Sequence, residues 1–199
     1  MRTKATIAIG LCVAFLTILS VLHVLEPEFN PPHFISEYQL GRFGWLMSFA
    51  FFCLGAASLA LFAAARREIH TRPGRIGIWG LLVTGAAYFC AGIFAPDPKW
   101  FAGSVLHGIG GLVVIFGSPI VFTLVSKGFA RNEASSTAPR PLLWTAILTW
   151  LSLVLLYGSS VAFRGPPRSI VIGWTNRMLI TTFVLWLLVT AFHVRSIRR

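Results

Sequence analysis

The sequence is poor in charged side chains, and poorest in acidic ones. Asp, Glu, Lys and Arg make up 12% of the 199 residues, and only 6 residues are Asp or Glu. Soluble globular domains carry about 25% charged residues, so the composition excludes an ordinary soluble domain. Hydrophobic residues make up 56% of the chain and occur in long blocks. This pattern is typical of a polytopic membrane protein.

Several motifs that would indicate a particular chemistry are also missing. Cys12, Cys53 and Cys90 lie in apolar stretches without CxxC spacing, so we predict neither a disulfide framework nor a metal cluster. No HExxH or HxxxH pair occurs, and GRIGIWG (74–80) lacks the lysine of a P-loop. No basic stripe interleaved with aromatic residues lies outside the apolar blocks, which argues against nucleic-acid binding. We predict no bound cofactor.

Six apolar blocks are long enough to cross the hydrocarbon core of a membrane, which takes about 20 residues in a helix. Because backbone groups in lipid need hydrogen bonds within the segment, we predict an all-α fold. It is a polytopic transmembrane bundle of six helices, a single domain over residues 1–199. The first block resembles a signal peptide, but no small-x-small cleavage site ends it, so we expect a retained span. The predicted spans are about 5–25, 43–65, 76–96, 104–126, 142–163 and 172–194.

The basic residues predict the direction of insertion. If both termini are cytoplasmic, 12 of the 17 Lys and Arg residues lie on the inner side, and the outer side holds Arg42, Lys99, Arg164, Arg168 and Arg177. This asymmetry follows the positive-inside rule. We therefore predict cytoplasmic termini in a bacterial inner membrane, with basic segments at anionic lipid headgroups. The inner segment 126–141, rich in Ser, Ala and Pro, is the predicted flexible connection.

Acidic residues and histidines concentrate on the opposite, outer side. Four of the six acids and three of the five histidines belong to it: Glu26, Glu28, Glu37 and Asp97, with His23, His33 and His107. Acidic residues contribute little to membrane orientation, so their position needs another reason. We expect a polar site at the outer surface.

Arg177 lies in WTNRMLI (174–180), about one helical turn inside the sixth predicted span. A charge at that depth is costly unless its side chain reaches the headgroups or finds a partner. Snorkelling to the membrane surface is one hypothesis. The other is that Arg177 pairs with Asp97 or Glu37 inside the bundle and ties the sixth span to the outer loops.

The fourth predicted span carries small residues on one face. Gly103, His107, Gly110 and Gly111 follow i, i+4, i+7 and i+8 spacing. Glycine allows a neighbouring helix to approach closely, so we predict that Gly103, Gly110 and Gly111 are helix-packing residues. A ligand cavity on this face is the alternative. Pro119 removes a backbone donor and predicts a kink.

Three stretches, ISEYQLGRFGWLM (35–47), FAPDP (94–98) and LHGIGG (106–111), combine with an arginine near the start of the last span. In this combination the chain resembles the bacterial membrane family catalogued as domain of unknown function 998. The resemblance covers nearly the whole chain and implies the same six-span layout, but it assigns no reaction. The residues to which it points are Ser36, Glu37, Tyr38, Gly41, Asp97, His107, Gly108 and Arg177.

We favour a non-catalytic bundle that binds a lipid, another amphiphile or a membrane protein partner. The candidate polar cluster is Ser36, Glu37, Tyr38, Asp97, His107 and Arg177. The alternative is a membrane enzyme, a metal-dependent or acid–base hydrolase using the outer His, Asp and Glu side chains. A haem or redox protein with His23 and His107 as axial ligands is a third hypothesis. No catalytic residue is assigned, and the candidate metal ligands, His23, His33 and His107, come from separate segments.

Overall fold

The computed structural model describes residues 1–131 and 140–197, except for the side chains of residues 166 and 167. The described residues form seven α-helices, two short 3₁₀ helices and one π-helical segment, with no strand. The α-helices are α1 (Arg2–Leu25), α2 (Gly44–Ala65), α3 (Arg72–Ile93), α4 (Phe101–Leu112), α5 (Ser118–Ala130), α6 (Arg140–Ala162) and α7 (Pro166–Ser196). Half of the segment predicted to be flexible (126–141), namely residues 132–139, lies outside the described residues, as do Arg198 and Arg199.

Six helical segments are long and apolar enough to span a membrane, because α4, the π-helical segment and α5 form one span over Phe101–Ala130. These segments coincide with the six predicted spans and confirm the all-α fold of a polytopic membrane protein. Local capping interactions also determine where helices begin. Thr71 Oγ1, for example, accepts a hydrogen bond from Gly74 N at 3.3 Å and caps α3.

The helices form a ring in which chain neighbours pack side by side, and α7 packs against α1 to close it. Part of the core lies between α5 and α7, where Phe122 stacks on Trp186 with ring centroids 4.0 Å apart. Helix α5 also packs against α6, whereas α4 packs along α3 and has no extensive contact with α6 or α7. The ring is therefore closed in the half that α5 builds and open in the half that α4 builds.

The change between these halves occurs at a π-helical turn, Val113–Gly117, which joins α4 to α5. Pro119 follows in the first turn of α5. Proline has no N–H and its ring disturbs the preceding turn, which gives a physical reason for irregular bonding here. The sequence predicted a kink at Pro119, and the structure shows the irregularity as a π turn just before it. Such turns often accompany functional sites.

The connections between helices meet at two faces of the bundle. Residues 26–43, 94–100 and 163–165 form what we name the loop face, and the opposite face holds Arg2 of α1 and Arg195 of α7. The longest connection, 26–43, contains the 3₁₀ helices Pro27–Phe29 and Ile35–Leu40 and folds onto α2 and α7. The predicted outer polar residues lie on or just below the loop face. The cytoplasmic side of the membrane stays a prediction.

Candidate functional site

Arg177 of α7 is buried beneath the 26–43 connection, with 6% of its surface exposed. A guanidinium has five N–H donors, and each donor of Arg177 has an acceptor. The acceptors are His23 Nε2 (2.9 Å) for Nε, the carbonyls of His33 (2.6 Å) and Gly173 (3.0 Å) for Nη1, and the Phe29 carbonyl (2.9 Å) and Tyr38 hydroxyl (3.4 Å) for Nη2. We name this set the Arg177 network. It joins α1, the 26–43 connection and α7.

Two side chains of the network are themselves held in place. His23 Nδ1 lies 2.7 Å from the Leu19 carbonyl, so Nδ1 carries the proton and Nε2 is free to accept from Arg177. Tyr38 is fully buried and donates to Asn30 Oδ1 at 2.6 Å. Burial raises the pKa of Tyr38, although the hydrogen bond and the charge of Arg177 act in the opposite direction. The phenol is therefore neutral at physiological pH.

The predicted ion pair of Arg177 with Asp97 or Glu37 is wrong. In the described part of the chain no carboxylate lies within 4.0 Å of the guanidinium. Glu37 Oε2 instead meets His33 Nδ1 at 2.6 Å, and Asp97 Oδ1 accepts from Lys99 N at 2.9 Å. Snorkelling is also wrong, because the guanidinium lies under protein. Carbonyl dipoles, rather than a counter-ion, stabilise this charge.

Glu26 is a second buried charged residue at the loop face, with 1% of its surface exposed. Its Oε1 accepts from the backbone N–H of Phe43, and its Oε2 has no hydrogen-bond partner among the described residues. A Cβ at Gly41 would overlap Oε2 of Glu26. The family resemblance pointed to Gly41, and the structure supplies a steric reason for glycine there.

A cavity of about 340 Å³ lies beneath the same connection, in the open half of the helix ring. Residues 34–36 form its roof, and its walls come from α2, α3, α4, the π-helical turn and α7. The apolar wall residues are Phe51, Ala91, Leu112, Val114, Ile115 and Ile180. The cavity thus extends from the loop face into the apolar part of the bundle.

The roof and α7 bring two polar side chains to this cavity. Asn176 Oδ1 accepts from the backbone N–H of Ile35 at 3.1 Å, which ties the roof to α7. The amide nitrogen of Asn176 then remains as a donor without an acceptor among the described residues. Ser36 Oγ likewise has no hydrogen-bond partner in the described chain. Both side chains can therefore bind a ligand in the cavity.

Two more polar side chains reach the cavity from α3 and α4. His107 Nδ1 lies 2.7 Å from the Phe94 carbonyl and 3.3 Å from the Ala91 carbonyl. Because a carbonyl only accepts, Nδ1 carries the proton and Nε2 is an acceptor in the neutral ring. Tyr88 also lines the cavity, but its hydroxyl is enclosed by protein and is not accessible from the cavity. The cavity therefore combines apolar walls with unused hydrogen-bonding groups.

Comparison with known proteins bears on nearly the whole chain. The family model described as "Protein of unknown function (DUF998)" matches residues 6–193. The chain belongs to this family. The match confirms the family resemblance seen in the sequence and extends into all six spans. Searches of curated proteins and of solved structures give no match.

In this DUF998 protein the predicted polar cluster divides into separate groups. Tyr38 belongs to the Arg177 network, and Glu37 reaches that network only through His33. Ser36 and His107 border the cavity. Asp97 belongs to neither group, because it shapes the turn before α4 through its bond to Lys99 N.

The three glycines of α4 predicted to pack against a helix have different surroundings in the structure. A Cβ at Gly110 would lie 3.0 Å from the Ala87 carbonyl of α3, so Gly110 packs closely against that helix. The space beside Gly103 is filled by Trp100. At Gly111 the packing prediction is wrong, because a Cβ there would have no atom within 4 Å and the residue borders the cavity.

The histidines considered as metal or haem ligands are engaged separately in this DUF998 protein. His23 Nε2 accepts from Arg177, His33 pairs with Glu37, and His107 lies at the cavity. Within the described residues no three His, Cys, Asp or Glu side chains come close enough to hold a metal ion. An axial pair of His23 and His107 is not supported, because Nε2 of His23 already has a hydrogen-bond donor.

Sequence reasoning missed several residues of the site. Asn176 and Tyr88 carry a detectable signal, since each is a polar group within an apolar span. Gln39 carries none, because polar residues are ordinary in a connection. Its Nε2 nevertheless donates to Ser48 Oγ and to the Ala91 carbonyl, both at 3.0 Å, and fixes the connection to α2 and α3.

Proposed function

We propose that this protein is a non-catalytic membrane bundle that holds the apolar chain of a lipid or other amphiphile beneath residues 34–36. One observation carries the proposal: a cavity of about 340 Å³ joins apolar walls to polar groups that have no hydrogen-bond partner among the described residues. Ligand pockets have volumes of about 300–1,000 Å³, with mostly apolar walls and a few polar groups that fix orientation. The cavity matches that description at the small end of the range.

The open half of the ring supports entry of a ligand from the bilayer. Helix α4 has no extensive contact with α6 or α7, and Gly108 and Gly111 leave free space on its cavity side. An alkyl chain that moves from the lipid bilayer into this cavity exchanges one apolar environment for another. Affinity would then depend on packing and on the polar head group more than on the hydrophobic effect.

The Arg177 network supports the proposal by fixing the roof of the cavity. All five guanidinium donors bind protein acceptors, and the neighbouring Asn176 binds the backbone of Ile35. A fully satisfied buried network is rigid, so the roof has one defined shape. We assign Arg177 this positioning role rather than contact with the ligand.

The charge asymmetry of the sequence favours a non-cytoplasmic loop face, as the positive-inside rule predicts. In that orientation the cavity would open in the outer leaflet of a bacterial inner membrane. Its ligand would then come from the lipids of that leaflet.

Cavity filling provides the test. Gly111→Leu should place its side chain in the cavity, and Gly10→Leu is a matched control because Gly10 of α1 is exposed and has equally free space around a Cβ. Each protein would be reconstituted in phosphatidylcholine nanodiscs with alkyl probes that carry a photoreactive diazirine in the chain and differ in head group. Cross-linked peptides would be identified by mass spectrometry.

We expect at least one probe to label the cavity segments of α4 and α7. Gly111→Leu should reduce that labelling about tenfold or more, because overpacking a filled site costs about 1–3 kcal/mol, whereas Gly10→Leu should leave it unchanged. The proposal would be contradicted if every probe labelled the lipid-facing surfaces broadly and labelled both variants equally.

A further inference from the structure

We infer that the head group of the bound amphiphile is uncharged and carries a hydroxyl group. This inference rests on the proposed function, since it specifies the ligand of the same cavity. It follows from the charges around the cavity and from the hydrogen-bonding capacity left on His107, Asn176 and Ser36.

Among the described residues, no carboxylate, ammonium or guanidinium group lines the cavity to pair with a charged head group. None of its lining residues is Asp, Glu, Lys or Arg. Arg177 follows Asn176 in the chain, but its five N–H donors are all bound to protein acceptors, so it has none left for a phosphate or carboxylate. Burying an ion without a partner is strongly unfavourable. The site therefore selects against anionic and cationic amphiphiles.

The unused polar groups require a ligand that both donates and accepts hydrogen bonds. His107 Nε2 is an acceptor, since Nδ1 is held by the Phe94 carbonyl, and it needs a donor from the ligand. The Asn176 amide nitrogen is a donor, since Oδ1 is used by Ile35, and it needs an acceptor. A hydroxyl group provides one donor and two acceptor lone pairs, so a single alcohol group can satisfy both.

The hydroxyl of Ser36, which also lines the cavity, can take either role. A head group with more than one hydroxyl, such as a glycerol ether, has the chemistry to use this site as well.

The test compares probes that share one diazirine-bearing alkyl chain and end in a hydroxyl, a methyl ether, a carboxylate or a phosphate. The full chain would be used in phosphatidylcholine nanodiscs, and labelling of the α4 and α7 cavity segments would be measured. We expect the hydroxyl probe to label about tenfold or more strongly than the methyl ether, because the ether leaves a buried acceptor unpaired. The carboxylate and phosphate should label no better than the ether.

His107→Asn tests the source of this selectivity. The asparagine amide can replace the Nδ1–H donor toward the Phe94 carbonyl but has no atom in the place of Nε2. We expect the ratio of hydroxyl to ether labelling to fall toward one in this variant. In Ser36→Ala the hydroxyl probe should still label more strongly than the methyl ether probe. The wild-type ratio is informative even if His107→Asn does not fold.

The two proposals fail in different ways. Equal labelling by all four probes that Gly111→Leu still abolishes would overturn the head-group inference and leave the cavity as an amphiphile site. Stronger labelling by the carboxylate or phosphate would also overturn it, since a charged head group would then be preferred. If Gly111→Leu reduces the labelling by none of the probes, both proposals are wrong.

Discussion

Replacing Arg177 by methionine should loosen the 26–43 connection more than it destabilises the six-helix bundle. Methionine has an unbranched side chain that fits an apolar span, but it donates no hydrogen bond. The change would remove the guanidinium donor from three carbonyls and from the Nε2 atom of His23. All but one of these acceptors belong to α1 or the connection, so the effect should concentrate there.

The size of the effect follows from two opposing contributions. Each hydrogen bond to a charged group contributes about 1.5–3 kcal/mol, but removing the guanidinium also removes the cost of burying its charge. A buried acceptor that loses its donor costs about 1–3 kcal/mol, so we expect a net cost of about 3–5 kcal/mol for the whole network. At about 1.4 kcal/mol per factor of ten, opening of the connection should become about a hundredfold to several thousandfold more frequent.

Hydrogen exchange of the protein in nanodiscs would measure this opening. The amide of Ile35 is a direct reporter, because its N–H is bonded to Asn176 Oδ1 at 3.1 Å and opens with the roof. Arg168→Met is the control, since Arg168 is an exposed arginine of the same helix. We expect faster exchange over 26–43 in Arg177→Met and unchanged exchange in the control.

Two results would refute this reasoning. If Arg177→Met changes exchange over 26–43 by less than about threefold, the five hydrogen bonds contribute less than about 1 kcal/mol together. If protection falls equally in all six spans, the network supports the whole bundle and has no special role in holding the cavity roof.

Three further predictions concern single residues. Gly41→Ala should destabilise the protein by about 1–3 kcal/mol through overlap with Glu26, whereas Gly10→Ala should be neutral or slightly stabilising. Thermal melting in detergent would compare the two variants, and equal melting temperatures would contradict the steric argument. The phenol of Tyr38 should ionise above its usual pKa of about 10, so its stabilisation is present below that pH and is lost as the pH rises through the raised pKa. Ultraviolet difference titration against Tyr38→Phe measures this, and ionisation at or below the usual value would contradict it. Thr71→Ala should cost about 0.5–2 kcal/mol in the same melting assay, because it removes the cap of α3, and an unchanged melting temperature would show that the cap adds nothing.

The six spans could be predicted because lipid offers no hydrogen bonds, so block length and hydropathy alone identify a spanning helix. The burial of Arg177 was also one of two hypotheses that the sequence supported. Its partners were not predictable, because four of its five acceptors are backbone carbonyls or a histidine nitrogen. Every residue has a carbonyl, so these acceptors leave no pattern in the sequence. A search for carboxylates therefore pointed to Asp97 and Glu37, neither of which contacts the guanidinium.

The cavity shows a second limit of sequence reasoning. Because glycine has no side chain, a glycine in a helix is compatible either with close approach of another helix or with a cavity beside it. Gly110 and Gly111 are neighbours in the chain, yet on a helix of 3.6 residues per turn they point about 100° apart. Gly110 meets α3, while beside Gly111 no atom lies within 4 Å of a Cβ position. The facing helix decides between the two outcomes, and its position depends on the ring as a whole.

The π-helical turn connects these observations. If α4 continued regularly into α5, both halves of the fourth span would follow one path, and contact of α5 with α6 would bring α4 toward α6 as well. The irregular turn before Pro119 instead separates a half that is packed on α6 from a half that is packed on α3 alone. The closed half stabilises the bundle and the open half holds the cavity. Restoring regular helix at Val113–Gly117 should therefore affect ligand binding more than stability.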